Sequence, residues 1–160
     1  MTRLLRTIRF DDSDDHVFPK AARPDEWAVS GAFVFAADEP EELAGKRRQA
    51  FSNGFLAIGS FGWSTFASVA EIDDADLDGL VDRLSAHLVK HFGAPDKASA
   101  APFALAEVEF VADLCRDAPI NTLLAVRREH NEAGEVHETF RKIEAPTGPV
   151  HARIWDVAPE

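Results

Sequence analysis

The stretch Asn131-Glu132-Ala133-Gly134-Glu135-Val136-His137-Glu138-Thr139-Phe140-Arg141-Lys142-Ile143 decides the fold class. Its first four residues predict a hairpin turn in which Gly134 adopts a positive φ. From Val136 onward, the side chains alternate between two faces, as in a strand with one face in water. Residues 120–128, which precede the turn, are rich in strand-forming residues and supply the partner strand. These two strands and the turn between them predict an antiparallel hairpin.

Outside the hairpin, periodicity and end signals predict the other elements. Strands are expected at residues 4–10, 27–36 and 62–71, and helices at residues 38–53, 73–92 and 103–115. A further short segment is expected at residues 150–155. The order β-β-α-β-α-α-β-β predicts a single α+β domain over residues 1–160, with a largely antiparallel sheet of about five strands and three helices on one face.

The last of these helices is predicted to begin beside Pro102, because proline is tolerated in the first helical turn. Its spacing places five apolar side chains toward the core: Phe103, Ala106, Phe110, Val111 and Leu114.

Charge excludes several classes of partner. The chain has 160 residues, with 28 Asp and Glu against 17 Lys and Arg, and a formal net charge of −11. Binding to nucleic acid or to an anionic membrane surface needs an excess of basic residues, so neither partner is expected. No apolar run reaches the ~20 residues of a membrane span, and no signal core follows the N-terminus. A lone Cys115 permits no internal disulfide. These features predict a cytoplasmic protein.

The sharpest candidate for chemistry is the pair His87 and His91. Two histidines four residues apart on a helix lie one turn from each other and can bind one metal ion. The Glu that a catalytic version of this motif places beside its first histidine is absent. The alternative interpretation is that both histidines pack at the border of the helix's apolar face.

Two further clusters could form a ligand or partner surface. One is an aromatic segment, which would line either a ligand pocket or the core, and it consists of Phe51, Phe55, Phe61, Trp63 and Phe66. The other is basic, on the last hairpin, where Arg127, Arg128 and Arg141 converge. For this cluster the alternatives are a docking surface for an acidic partner and a solvated edge with local ion pairs.

No established catalytic pattern is present in the sequence. The glycines at 54, 59 and 62 do not match a phosphate-binding loop, and the serines lack the nucleophile-elbow spacing. We therefore predict no catalytic residue and no cofactor, and we favour a non-enzymatic protein.

Three segments resemble a small bacterial domain-of-unknown-function family: Leu4-Leu5-Arg6-Thr7-Ile8-Arg9-Phe10-Asp11, Glu26-Trp27-Ala28-Val29-Ser30-Gly31-Ala32-Phe33 and Gln49-Ala50-Phe51-Ser52-Asn53-Gly54-Phe55-Leu56. The resemblance implies association with biotin/lipoate-ligase-like and formate-dehydrogenase accessory proteins. It therefore implies a cytoplasmic helper of a multi-subunit or cofactor-bearing enzyme. Because catalytic motifs are missing, we predict a non-enzymatic accessory or protein-interaction domain that binds a protein partner or, through a strand edge, a second copy of itself. The alternative is a small-ligand or metal-binding domain that uses residues 51–66 and the histidine pair.

Overall fold

The computed structural model describes residues 1–143, so the segment expected at residues 150–155 lies outside the described residues. The seven strands are β1 (Thr2–Ile8), β2 (Trp27–Val29), β3 (Phe55–Ala57), β4 (Trp63–Ser64), β5 (Phe66–Ile72), β6 (Leu123–His130) and β7 (Val136–Ile143). The four α-helices are α1 (Ser13–Val17), α2 (Gly45–Asn53), α3 (Asp74–His91) and α4 (Lys97–Cys115).

All strands belong to one antiparallel sheet in the order β4-β3-β2-β1-β5-β6-β7. The predicted α+β class and antiparallel sheet are confirmed. The predicted number of elements is wrong, because the described residues form seven strands rather than about five and four helices rather than three. β3 and β4 have three and two residues, too short to show alternation in the sequence. α1 lies in the acidic run that composition alone presents as a turn.

The second predicted strand, residues 27–36, ends early. Gly31 has φ 88°, a left-handed conformation that a strand cannot continue through. The chain then enters a short 3₁₀ turn at Ala32–Phe35. A Cβ on Gly31 would lie 2.7 Å from the Trp63 ring, so close packing also requires glycine here.

The predicted helix at residues 38–53 is divided into two parts. A 3₁₀ turn, Pro40–Glu42, carries the capping box between Glu39 and Glu42. Leu43 and Ala44 are extended, and α2 follows. The acidic residues and Pro40, which favour a helix start, therefore begin this separate turn and not α2.

The predicted strand at residues 62–71 is divided at Thr65. β4 lies at one edge of the sheet and β5 near its middle. At Thr65, where the chain passes from β4 to β5, the buried carboxylate of Asp14 accepts a hydrogen bond of 2.6 Å from the Thr65 hydroxyl. One carboxylate of the acidic run thus holds the residue that connects the edge strand β4 to the central strand β5.

Helix α4 begins six residues earlier than predicted, because the Asp96 side chain caps it by accepting from the Ser99 amide at 2.7 Å. Its core face also differs from the prediction. The buried residues are Ala100, Ala104, Val108, Val111 and Cys115. Phe103 and Phe110 are 45% and 46% exposed, because small residues let α4 approach α3 and β1 closely.

The sheet curls strongly. β2 and β7 are four strand positions apart, which is ~19 Å in a flat sheet. Nevertheless Ser30, directly after β2, donates a 2.5 Å hydrogen bond to Glu138 of β7. Arg128, Glu138 and Phe140 share one face of the β6–β7 hairpin, and this face contacts both α2 and α4.

Candidate functional site

A cleft of about 380 Å³ opens between α3 and the loop of residues 58–62, which joins β3 to β4. Most of the side chains around it are cationic or can become so. The lining residues are Lys20, Ser60, Phe61, Arg83, Ala86, His87, Lys90 and His91. We call this site the basic cleft.

One wall of the basic cleft is a stripe along α3. Arg83, His87, Lys90 and His91 lie at positions i, i+4, i+7 and i+8, which share one helix face. The helix is fixed at its start by Asp73, whose side chain accepts from the Asp76 amide at 2.7 Å. The adjoining face buries Leu80, Leu84 and Leu88 in the core, and this sets the rotation of the basic stripe.

The other wall is the 58–62 loop, held by Glu26. Its carboxylate accepts from the backbone amide of Ser60 at 2.5 Å and from the Ser60 hydroxyl at 2.8 Å. Lys20 then donates to the carbonyl of Ser60 at 2.6 Å. The ammonium group is thereby positioned at the cleft and keeps donors available for another acceptor.

Phe61 is held in a conformation that bulky residues rarely adopt, with φ 59°. Its ring stacks on His87 with centroids 3.6 Å apart and planes 4° from parallel. Such backbone strain persists only where surrounding contacts over-determine it, and it concentrates at functional sites. The loop therefore holds one aromatic ring of the predicted segment flat against the first predicted histidine.

Within residues 1–143, no Asp or Glu lines the basic cleft. The ion pairs of this part of the chain do not involve Lys20, Arg83 or Lys90. Burial, followed by the positive charges of His91, Lys20 and Lys90, lowers the pKa of His87 from 6.5 to about 4. The cleft is a concentration of positive charge on an acidic protein.

The two histidines of the proposed metal pair lie close together, with ring centroids 4.7 Å apart. A protein metal site generally needs three or more ligands. The described residues contain no group of three or more His, Cys, Asp or Glu side chains that could hold a metal ion. The pair therefore contributes to the basic cleft without a third metal ligand from this part of the chain.

The aromatic segment is distributed over several places. Phe51, Phe55 and Trp63 are buried, and both Phe51 and Trp63 pack on Phe35. Phe66 is half-buried and packs on Phe10 at 5.4 Å. Of the five predicted residues, Phe61 alone lines the basic cleft.

The basic residues of the last hairpin also separate. Arg127 and Arg141 are exposed, and Arg127 pairs with Glu129 at 3.3 Å. Arg128 points to the opposite face and is fully buried. Its guanidinium donates to Glu138 at 2.7 Å, to the carbonyl of Phe51 at 2.8 Å and to the carbonyl of Ser30. Arg128 therefore ties the hairpin to α2 and to the end of β2.

Sequence reasoning missed Lys20, Ser60, Arg83 and Lys90 as members of the site. Helical periodicity was a usable signal for two of them, because Arg83 and Lys90 lie on the same face as the histidine pair. No local signal indicates Lys20 or Ser60, since tertiary structure alone brings them to α3.

Fold and site together define a curled antiparallel α+β domain with a basic cleft at one side. The chain belongs to a family of unknown function, DUF6505, whose model matches residues 1–154. Neither the curated proteins nor the solved structures include a match to this chain. Among the described residues, no helix has the length and apolar character needed to cross a membrane.

Proposed function

We propose that this protein is a small-ligand binding domain whose basic cleft holds an oxyanion, a carboxylate or a phosphate group. The observation that carries the proposal is the convergence of five cationic or titratable side chains around one cleft: Lys20, Arg83, His87, Lys90 and His91. Among residues 1–143, no carboxylate lines the same cleft to neutralise them.

Physical chemistry favours an anionic occupant for two reasons. Like charges held close together repel, and a bound anion relieves that repulsion while accepting charge-assisted hydrogen bonds. The net charge of −11 would otherwise disfavour anions, so these contacts must outweigh long-range repulsion. We expect weak, salt-sensitive binding of simple anions.

Removing cleft cations should weaken anion binding. In calorimetric titrations with sulfate at fixed ionic strength, we expect Arg83→Ala and Lys90→Ala each to lower the affinity roughly three- to ten-fold. One charge-assisted contact at a partly solvated site contributes about 1 kcal/mol. Lys46→Ala is the matched control, because Lys46 is exposed on α2, outside the cleft. Equal affinities for all three variants and the wild type would contradict the proposal.

Sulfate should also change the protonation of His87. The pKa of His87 is about 4 in the free protein, so the ring is neutral at pH 7. A neighbouring anion stabilises the imidazolium and raises that pKa. Binding then takes up a proton, and the affinity should rise roughly two- to ten-fold from pH 7 to pH 5.

NMR titration of the His87 ring, with and without saturating sulfate, measures this coupling directly. Sulfate is a suitable probe because it does not titrate in this range. An ordinary pKa near 6.5 in the free protein, or no response to sulfate, would count against the role of His87.

A second candidate function is the cytoplasmic accessory or protein-interaction role implied by the family resemblance. The observation that favours it is β7, an eight-residue edge strand that pairs with β6 alone among the described strands. An edge of this kind can accept a strand from another chain. If a gentle pull-down from native extract recovers only the protein itself, this candidate loses its support.

A further inference from the structure

A second concavity lies beside the basic cleft. It is a groove of about 790 Å³ between the Ala32–Phe35 turn and the connection from α3 to α4. Its lining is apolar apart from His91 and Ser99. Leu88 is buried at its base, whereas Phe92 and Phe103 are 41% and 45% exposed. We call it the apolar groove.

Three aromatic rings shape the apolar groove. Phe33 makes edge-to-face contacts with Phe92 at 5.3 Å and with Phe103 at 5.7 Å between ring centroids. The rings come from three different elements, so their arrangement is a product of the tertiary fold. Edge-to-face contacts of this kind hold aromatic rings in a defined geometry. The groove is therefore preformed, and its volume lies in the range of small-ligand pockets.

The groove and the cleft adjoin each other at His91. His91 lines both of them, and the rings of His87 and Phe92 are 5.6 Å apart. Positive charge on one side of His91 thus gives way directly to an apolar surface on the other. A ligand that satisfies both sides has an anionic end and an apolar body.

We infer that the natural ligand is a single-chain amphiphile, whose oxyanion head lies in the basic cleft and whose alkyl chain lies in the apolar groove. This inference rests on the proposed function and adds the class of ligand. The alkyl chain covers Phe92 and Phe103, which are otherwise large exposed apolar side chains. The head group selects anionic amphiphiles, because a cationic one would face Lys90 and Arg83.

The test is a calorimetric series of butanoate, hexanoate, octanoate and decanoate, each kept below its micelle concentration. We expect the affinity to rise roughly two- to four-fold for each methylene that becomes buried. Decyl phosphate distinguishes a phosphate head from a carboxylate head. Decanol and decyltrimethylammonium carry the same chain without the anion, and we expect both to bind at least ten-fold more weakly than decanoate.

Matched variants separate the two parts of the site. Phe103→Ala should weaken decanoate roughly ten-fold while leaving sulfate and butanoate unchanged. Phe110→Ala is its control, because Phe110 is on the same helix, is equally exposed and lies outside the groove. Lys90→Ala should weaken every anionic probe. Thermal unfolding of each variant checks that the fold is retained.

The outcomes distinguish this inference from the proposed function. If sulfate binds but decanoate binds no better than butanoate, the ligand class is wrong and the anion site stands. If neither sulfate nor any alkyl anion binds, both fail. If decanol binds as tightly as decanoate, the groove binds alkyl chains without help from the basic cleft. An anionic amphiphile is then excluded as the specific ligand.

Discussion

Arg128→Met is expected to unfold roughly 10 °C or more below the wild type. Breaking a buried ion pair by removing one partner costs about 3–5 kcal/mol, because it leaves an uncompensated buried charge. Here the remaining partners are the carboxylate of Glu138 and the carbonyls of Ser30 and Phe51. Domains of this size have a total stability of roughly 5–15 kcal/mol, so the loss is a large fraction.

The neighbouring residue provides the control. Arg127→Met removes a cation of the same size that is exposed and paired with Glu129 across a 3.3 Å contact. We expect a change within about 0.5 kcal/mol for it. Thermal and urea unfolding of both variants make the comparison. Equal stabilities of Arg127→Met and Arg128→Met would refute the structural role of the buried guanidinium.

Lowering the pH should reduce the loss of folding stability that Arg128→Met causes. Burial, followed by the charge of Glu138, raises the pKa of Glu107, whereas Arg128 lowers it. A carboxyl whose pKa is raised by folding binds more protons when folded, so it favours the folded state at low pH and loses this effect as pH rises. Without Arg128 the pKa of Glu107 rises further. The stability difference from the wild type should therefore shrink as pH falls from 7 toward 5.

Gly62→Ala is expected to lower the free energy of unfolding by about 2–3 kcal/mol. An added Cβ would lie 2.4 Å from the carbonyl oxygen of Ala21 and 2.7 Å from the nitrogen of Ala22. These atoms are backbone, fixed by hydrogen bonds between residues 20–22 and Trp63, so the segment must move as a whole. Overpacking of this kind typically costs about 1–3 kcal/mol.

The same substitution should also weaken sulfate binding, because the displaced segment contains Lys20. Gly79→Ala is the control for the amino-acid change itself. Gly79 lies in α3 with nothing within 4 Å of an added Cβ, so alanine should stabilise the helix by about 0.5–1 kcal/mol. Urea unfolding and sulfate titration report the two effects separately. A neutral Gly62→Ala would contradict the close approach of residues 20–22 to β4.

Elements with a repeating pattern could be predicted from the sequence. The hairpin of β6 and β7 and the long helix α3 appear near their predicted positions, because alternation and 3.6-residue spacing extend over several repeats. Strands of two or three residues have no period to detect, so β3 was missed and β4 was predicted as one strand with β5. The buried face of α4 was predicted wrongly, because small residues of this helix pack in the core while Phe103 and Phe110 stay half-exposed.

The α+β class, the antiparallel hairpin and the placement of His87 and His91 one turn apart on α3 could be predicted from the sequence, since alternation and helical spacing act between near neighbours in the chain. Whether Arg127 or Arg128 is buried depends on tertiary packing, because a shift of one residue in strand register exchanges the two faces. Tertiary contacts also bring the side chains of the basic cleft together. Phe61 reaches α3 on a loop held by Glu26, and Lys20 joins it by donating to the Ser60 carbonyl of that loop. Such long-range contacts leave no periodic signal in the sequence.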